Sequence, residues 1–324
     1  LNLPDPFKMK NGGRIVTGNG NEIPMHRFNE EERLIVVLEA LLKRATLVNS
    51  SFILKGSLLT RQYLENQSLR HVEDIDFLYK GTIEHADQAK QIFTDWMIQV
   101  TELDLNDGIH FRSFRENPFW REIDYAMDED FPTVNTDIAY AIQSESSEGN
   151  RYEDELFLDV SFNLKLDAEP VPLNYQPLRG ESFVVPWTVP LSTQVAWKLH
   201  QTIVRPRFKD LYDLQYLVSH MLYDRQAVDE TLQTLVNECS MSHWITTEDM
   251  KKILVEDLRA LYRDLENDDQ LKQLAGDRLP DVYFMEVATR LRKAMNHAGI
   301  HQEAFKHLPS PTWNKAQNGE CEYE

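Results

Sequence analysis

The sequence predicts an α+β protein: a mixed β-sheet with flanking helices over residues 28–190, followed by a helical domain over 191–305. Three observations lead there. Up to about residue 105, short apolar runs alternate with segments of helical spacing. Over the next hundred residues, β-favouring segments dominate. Beyond Pro190, the periodic segments read as helices.

Residues 1–27 are rich in Pro, Gly and Asn and are expected to be loosely ordered. From Asn29, NEEERLIVVLEALLKRATLV places acids first and apolar residues at helical spacing, so a helix starts there. SFILKG reads as a short strand ending at Gly56, SLLTRQYLENQ as a helix and VEDIDFLY as a strand. HADQAKQIFTDWMIQVTEL is amphipathic, with Phe93, Trp96, Met97 and Val100 on one face. IHFRSFRE, TVNTDIAYAI, ELFLDVSFNL and SFVVPWTV favour strands, the second and third joined by the polar SESSEGNRYEDE. STQVAWKLHQTIV, DLYDLQYLVSHML, the run from Glu248 to Leu265 and VYFMEVATRLRKAMNHA complete the helical part, and residues 306–324 form a flexible tail.

Bulk composition limits the function classes. At 324 residues, with 42% hydrophobic and 27% charged side chains, the chain can bury a substantial core. It contains no apolar run near the ~20 residues of a membrane span. The opening LNLPDPFKMKNGG lacks a signal-peptide core, and a chain beginning at Leu1 is expected to have been trimmed or processed. Cys239 and Cys321 form neither a disulfide framework nor a zinc set, which suits a reducing cytoplasm. The net charge of −19 repels a phosphate backbone at long range. Between Asp124 and Glu155, ten acids face one Arg151.

The first chemical signal is in VEDIDFLY. Strand alternation points Asp74 and Asp76 one way and Ile75 and Phe77 the other. Neighbouring carboxylates repel unless a divalent cation relieves them, and Mg²⁺ favours carboxylate and phosphate oxygens. An ordinary solvated strand face carries the same pattern. In LFLDVSFNL, Leu156, Leu158, Val160 and Phe162 share a face, and Asp159 lies opposite. Beside the Asp-x-Asp strand, Asp159 would complete a set of three carboxylates able to hold two cations about 3.5–4 Å apart; elsewhere it is a polar residue on a half-exposed strand. Gly56-Ser57, between a strand and a helix, offers backbone N–H groups and the positive end of the helix dipole to a phosphate, although a plain N-cap looks the same. The segment is not a Walker A loop. Seventeen residues separate Ser57 from Asp74, room for about three helical turns and a returning strand.

The second signal lies in WKLHQTIVRPRFKDLYDLQYLV. Asp210, Leu214, Leu217 and Met221 form one stripe, so a carboxylate continues an apolar face, with Asp213 beside it. Lys198 is a candidate partner or phosphate ligand. A salt bridge of Lys198 or Arg205 with Asp210 or Asp213 accounts for the same pattern.

Together these motifs resemble the AbiEii/AbiGii toxin family of nucleotidyltransferases, the toxin halves of bacterial abortive-infection toxin–antitoxin pairs. FILKGS followed by HVEDIDFLY matches that family's strand, Gly pair and Asp-x-Asp strand. KLH at Lys198–His200, then Arg205, then KDLYDL at Lys209–Leu214 match its later motifs. The residue after the Gly-Ser pair is Leu58, where the family often has Thr. The resemblance spans about residues 52–217. It implies a nucleotidyltransferase fold and transfer of NMP from an NTP with one or two Mg²⁺ ions. Gly56 and Ser57 would hold the triphosphate, Asp74 and Asp76 the metal, and Asp159 would take the third acidic position. Lys198 would contact phosphate, Asp210 would be a further catalytic carboxylate, and Arg205 and Asp213 would join the nucleotide-binding set. It also implies an RNA acceptor such as tRNA and a cognate antitoxin; no membrane partner is expected, because no apolar run is long enough to span a bilayer. Two other readings keep the fold: transfer to a small molecule or protein, which the acidic charge favours, and a non-catalytic nucleotide-binding module. The scattered histidines support neither a hydrolase triad nor an HExxH site.

Overall fold

The computed structural model describes residues 23–48, 51–67, 70–123, 133–143, 154–242 and 244–310. The chain divides into two compact units, Leu1–Lys165 with Val171–Thr188, and Leu166–Pro170 with Val189–Glu324. Among the described residues, no helix is long and apolar enough to cross a membrane. The segment 1–22, the tail 311–324 and most of the acidic stretch 124–153 lie outside the described residues.

In the first unit, α1 (Glu30–Leu47) begins as its sequence predicts. Asn29 accepts from the Glu32 N–H at 2.8 Å, and the Glu32 carboxylate accepts from the Asn29 N–H at 3.0 Å, satisfying two otherwise orphaned donors. The strands β1 (Phe52–Lys55), β2 (Asp74–Tyr79), β3 (Ile109–Phe111), β4 (Arg121–Ile123), β5 (Thr133–Ile142), β6 (Asp154–Ser161), β7 (Val171–Tyr175) and β8 (Phe183–Thr188) build one sheet. Its order is β3-β5-β6-β2-β1-β8-β7, with β4 paired to β5. Pairings β2–β6 and β1–β8 are parallel and the others antiparallel, so the sheet is mixed. Helix α3 (Ala86–Glu102) buries Phe93, Trp96, Met97 and Val100. Trp96 stacks on Phe52 at 3.9 Å between ring centroids and meets Phe77 edge-on.

The helix expected over 57–67 is much shorter. It comprises α2 (Gly56–Thr60) and one 3-10 turn over Arg61–Tyr63. Arg61 explains the break. Its side chain is fully enclosed, donates from Nε to the Gln67 carbonyl at 3.1 Å, and pairs with Glu39 of α1 at 3.3 Å. Glu39 also accepts from Tyr175 Oη at 3.1 Å and the Leu178 N–H at 2.6 Å. Drawing the guanidinium inward against α1 and curling residues 64–67 back over it ends the helix. Strands β4 and β7 are absent from the sequence reading because three and five residues carry too little alternation. Pro172 in β7 is tolerated because that strand is at the sheet edge.

The second unit contains α4 (Leu191–Val204), α5 (Phe208–Leu217), α6 (Arg225–Met241), α7 (Thr247–Leu254), α8 (Tyr262–Leu265), α9 (Asp269–Ala275), α10 (Pro280–Ala298) and α11 (Gln302–His307). Phe208 packs its ring against Tyr283 and Phe284 of α10. The expected continuous helix from Glu248 to Leu265 is broken after Leu254. The Arg292 guanidinium takes the freed carbonyls of Ile253, Leu254 and Glu256, and Asp257 caps a 3-10 turn over Leu258–Leu261. Helix α6, capped by Asp224, and α9, capped by Asp268, are not read from the sequence, where polar residues dilute their apolar faces. Met221 falls off the expected stripe because α5 ends at Leu217, and it is exposed.

Burial pushes the Glu39 carboxyl up to about 7, against the opposing influence of Arg61 and of the Leu178 and Tyr175 donors. The folded form therefore holds a proton that the unfolded chain releases near pH 4.3. The stabilisation is present below that pH and lost as pH rises through about 7. Relative to Glu39→Gln, the wild type should lose about 3 kcal/mol of unfolding free energy between pH 4.5 and 7.5, measured by urea denaturation at each pH. A pH-independent difference would contradict this.

Candidate active site

Lys55, the last residue of β1, pairs with Asp76 of β2; Asp76 pairs with Asp159 of β6; Asp159 pairs with Asn135 of β5. Residues directly opposite one another in a sheet project from the same face. Four adjacent strands thus present a row of ammonium, carboxylate, carboxylate and amide. Asp74, two residues before Asp76, adds a third carboxylate to that face. The opposite face of β2 carries Ile75 and Phe77, both buried. Leu156, Leu158, Val160 and Phe162 around Asp159 are fully buried. Apolar burial holds the register that brings the acids together.

One oxygen of each of Asp74, Asp76 and Asp159 lies within 4.8 Å of the others. Asp159 is buried, and Asp74 and Asp76 are half-buried. Each carboxylate has a neighbour. Ser57 Oγ donates to Asp74 Oδ1 at 3.3 Å, Lys55 Nζ lies 3.5 Å from Asp76 Oδ1, and Asn135 Nδ2 donates to Asp159 Oδ1. Asn135 Oδ1 is buried without a hydrogen-bond partner among the described residues. Three hard oxygen donors converging from two strands suit a divalent cation such as Mg²⁺.

Gly56 is required by this arrangement in a way the strand-to-helix pattern does not reveal. Its φ is +75°, and a Cβ there would lie 1.9 Å from Asp76 Oδ2 and 2.6 Å from Asp76 Cγ. The Asp76 carboxylate occupies the space a side chain would need. The Gly-Ser turn and the acidic strand are therefore one packed unit. Ser57 is engaged with Asp74, and α2, with only five residues, supplies the dipole of little more than one turn.

The remaining candidates lie in the second unit. Lys198 of α4 donates to Asp210 Oδ1 at 3.1 Å and to Asp213 Oδ2 at 2.8 Å. Asp210 and Asp213 are buried, and Arg207 Nε donates to Asp210 Oδ2 at 2.7 Å. Of the pairings expected for an ion pair, Lys198 makes both and Arg205 takes neither: it is exposed at the end of α4, and Arg207 stands in its place. Burial lowers the His200 imidazole to about 4, so it is neutral near pH 7. Lys55, Asn135 and Arg207 escape the sequence reading. Lys55 had a signal in its position immediately before Gly56, whereas Asn135 became meaningful only through strand register.

Comparison with known proteins adds the family. The model described as nucleotidyl transferase AbiEii toxin, type IV TA system, matches residues 40–296. No curated protein matches the chain. Among solved structures, it is similar to MenT4, nucleotidyltransferase toxin Rv2826c from Mycobacterium tuberculosis H37Rv. That similarity has 13% identity and a TM-score of 0.47, over 86% of this chain and 87% of that one.

Two substitutions test the packing of these groups. Gly56→Ala should cost about 2 kcal/mol or more, from the positive φ together with the displaced Asp76, and should abolish Mn²⁺ binding in calorimetry. Full retention of both properties would refute the close-packed turn. Lys198→Met leaves Asp210 and Asp213 buried without their ammonium and should destabilise the protein by about 3–5 kcal/mol in denaturant titration. A loss under about 0.5 kcal/mol would mean the pair contributes little to folding.

Proposed function

The chain belongs to the AbiEii family of nucleotidyltransferase toxins of type IV toxin–antitoxin systems, and from that premise we propose that it transfers NMP from an NTP to an RNA end such as that of tRNA. The observation that carries the reading is the convergence of Asp74, Asp76 and Asp159 beside the Gly56-Ser57 turn. Those three carboxylates would hold Mg²⁺. When bound, the cation would supply positive charge to the attacking and leaving oxygens of an in-line displacement.

The protein's own contribution is positioning. The Gly56-Ser57 turn would seat the triphosphate, with backbone N–H groups turned toward its oxygens. Asn135 would keep Asp159 oriented through its amide N–H, so that the carboxylate can accept the proton of the acceptor hydroxyl. In the family reading Lys198, Arg205 and Asp213 would belong to the nucleotide-binding set, and Asp210 would be a further catalytic carboxylate. Lys198 reaches that role only by sharing its ammonium with Asp210 and Asp213. No covalent protein intermediate is needed, because phosphoryl chemistry of this kind depends mainly on alignment and charge. A cognate antitoxin is the expected partner, and use of an NTP would suit a cytoplasmic reaction.

A second acceptor class has one observation in its favour. The net charge of −19 suits a cationic small molecule or a basic protein better than a polyanion. Incubation with each α-³²P-labelled NTP, Mg²⁺ and, in parallel, total RNA, total protein or polycationic small molecules separates the acceptors. We expect label in RNA from one preferred NTP, falling to background with EDTA and with Asp76→Ala. Label only in protein or small molecules would replace the RNA acceptor. Equal labelling by the Asp76→Ala variant, or no transfer to any acceptor, would defeat the catalytic reading.

A further inference from the structure

We propose that Lys55 is a built-in, displaceable counter-cation of the acidic triad: it neutralises Asp76 while no divalent cation is bound and yields that carboxylate when one arrives. The inference rests on the reading of Asp74, Asp76 and Asp159 as a cation site. Lys55 closes β1 and stands opposite Asp76 in the antiparallel β1–β2 register, with its ammonium 3.5 Å from Asp76 Oδ1. Both side chains are mostly enclosed, 17% and 19% exposed, so solvent screens their attraction only partly. Ser57 donates to Asp74 and Asn135 to Asp159, and neither donor carries a net charge.

The fold explains why such a cation is useful. The register that assembles the triad also forces mutual repulsion on three carboxylates, one of them buried. A lysine on the neighbouring strand relieves part of that repulsion from within the chain. Asp76 is also the carboxylate that fills the space above Gly56, so an electrostatic tether on Asp76 keeps it seated against the turn. At 3.5 Å the contact is longer than the 2.8 Å that Lys198 makes with Asp213. A divalent cation sharing Asp76 would be repelled by the ammonium at close range. The lysine therefore lowers cation affinity while holding the three carboxylates together. This makes Lys55 a positioning residue rather than a catalytic one.

The test measures Mn²⁺ binding to the full chain without nucleotide, by calorimetry or by paramagnetic resonance of free Mn²⁺. Circular dichroism monitors folding throughout. Lys55→Met should bind Mn²⁺ roughly tenfold more tightly than wild type, from loss of one adjacent positive charge. Its metal-free melting temperature should fall, and Mn²⁺ should raise that temperature by more than in wild type. Lys55→Arg, which keeps the charge, should stay within about twofold of wild type, and Lys55→Gln should follow Lys55→Met. Equal or weaker Mn²⁺ affinity in both neutral variants would overturn the proposal and leave the cation site standing, as would Lys55→Arg matching Lys55→Met. If wild type and all variants bind Mn²⁺ no better than Asp76→Asn, the cation site fails and the proposal with it.

Discussion

The position of β2 between β1 and β6 is the constraint on which the site depends. One pairing is antiparallel and the other parallel, and their registers coincide at Asp76. A one-residue slip of β2 would turn Asp74 and Asp76 into the apolar layer and bring Ile75 and Phe77 out. The burial of Ile75 and Phe77 on one side, and of Leu158 and Val160 in the partner strand, makes that slip costly. Electrostatics alone would push the acids apart. Apolar burial on the other face of the same strands keeps them together, and the site draws its geometry from packing.

Two buried arginines fix the elements around that arrangement. Arg61 joins Glu39 of α1 and ends the short helix that follows Gly56. Arg44, also on α1, forks onto Asp107 at 2.8 and 2.9 Å and reaches the carbonyls of Leu103 and Ile109. It also lies over the Phe111 ring. Such enclosed pairs add little net stability over apolar residues of similar size, because desolvation offsets attraction. Their value here is geometric, since each guanidinium directs several hydrogen bonds and leaves few alternative placements of α1. The turn at Gly56, where a Cβ would strike Asp76, needs that rigidity.

The second unit answers a burial problem in another way. Asp210 and Asp213 of α5 are buried, and Lys198 with Arg207 neutralises them. The KLH and KDLYDL segments are therefore coupled through charge, which gives their charged residues a folding role. An ammonium divided between two carboxylates is less available to an external anion than a free lysine. A phosphate would have to draw it outward against two short hydrogen bonds.

The sequence by itself determined the local pieces: the capped start of α1, the apolar face of α3, the alternation that sets Asp74 and Asp76 apart from Ile75 and Phe77, and the glycine before Ser57. Each depends on neighbours within a few residues, so periodicity and capping chemistry reveal it. The helical part is legible only where apolar residues are dense: polar residues dilute the faces of α6 and α9, and no local signal marks the break after Leu254. Tertiary structure alone decided that Asp159 stands beside Asp76, that Lys55 and Asn135 flank them, that Asp76 fills the space over Gly56, and that Lys198 takes both aspartates. Those outcomes follow from strand order and register, and from charges buried far apart along the chain. They are set by which surfaces exclude water together, and no local pattern records that.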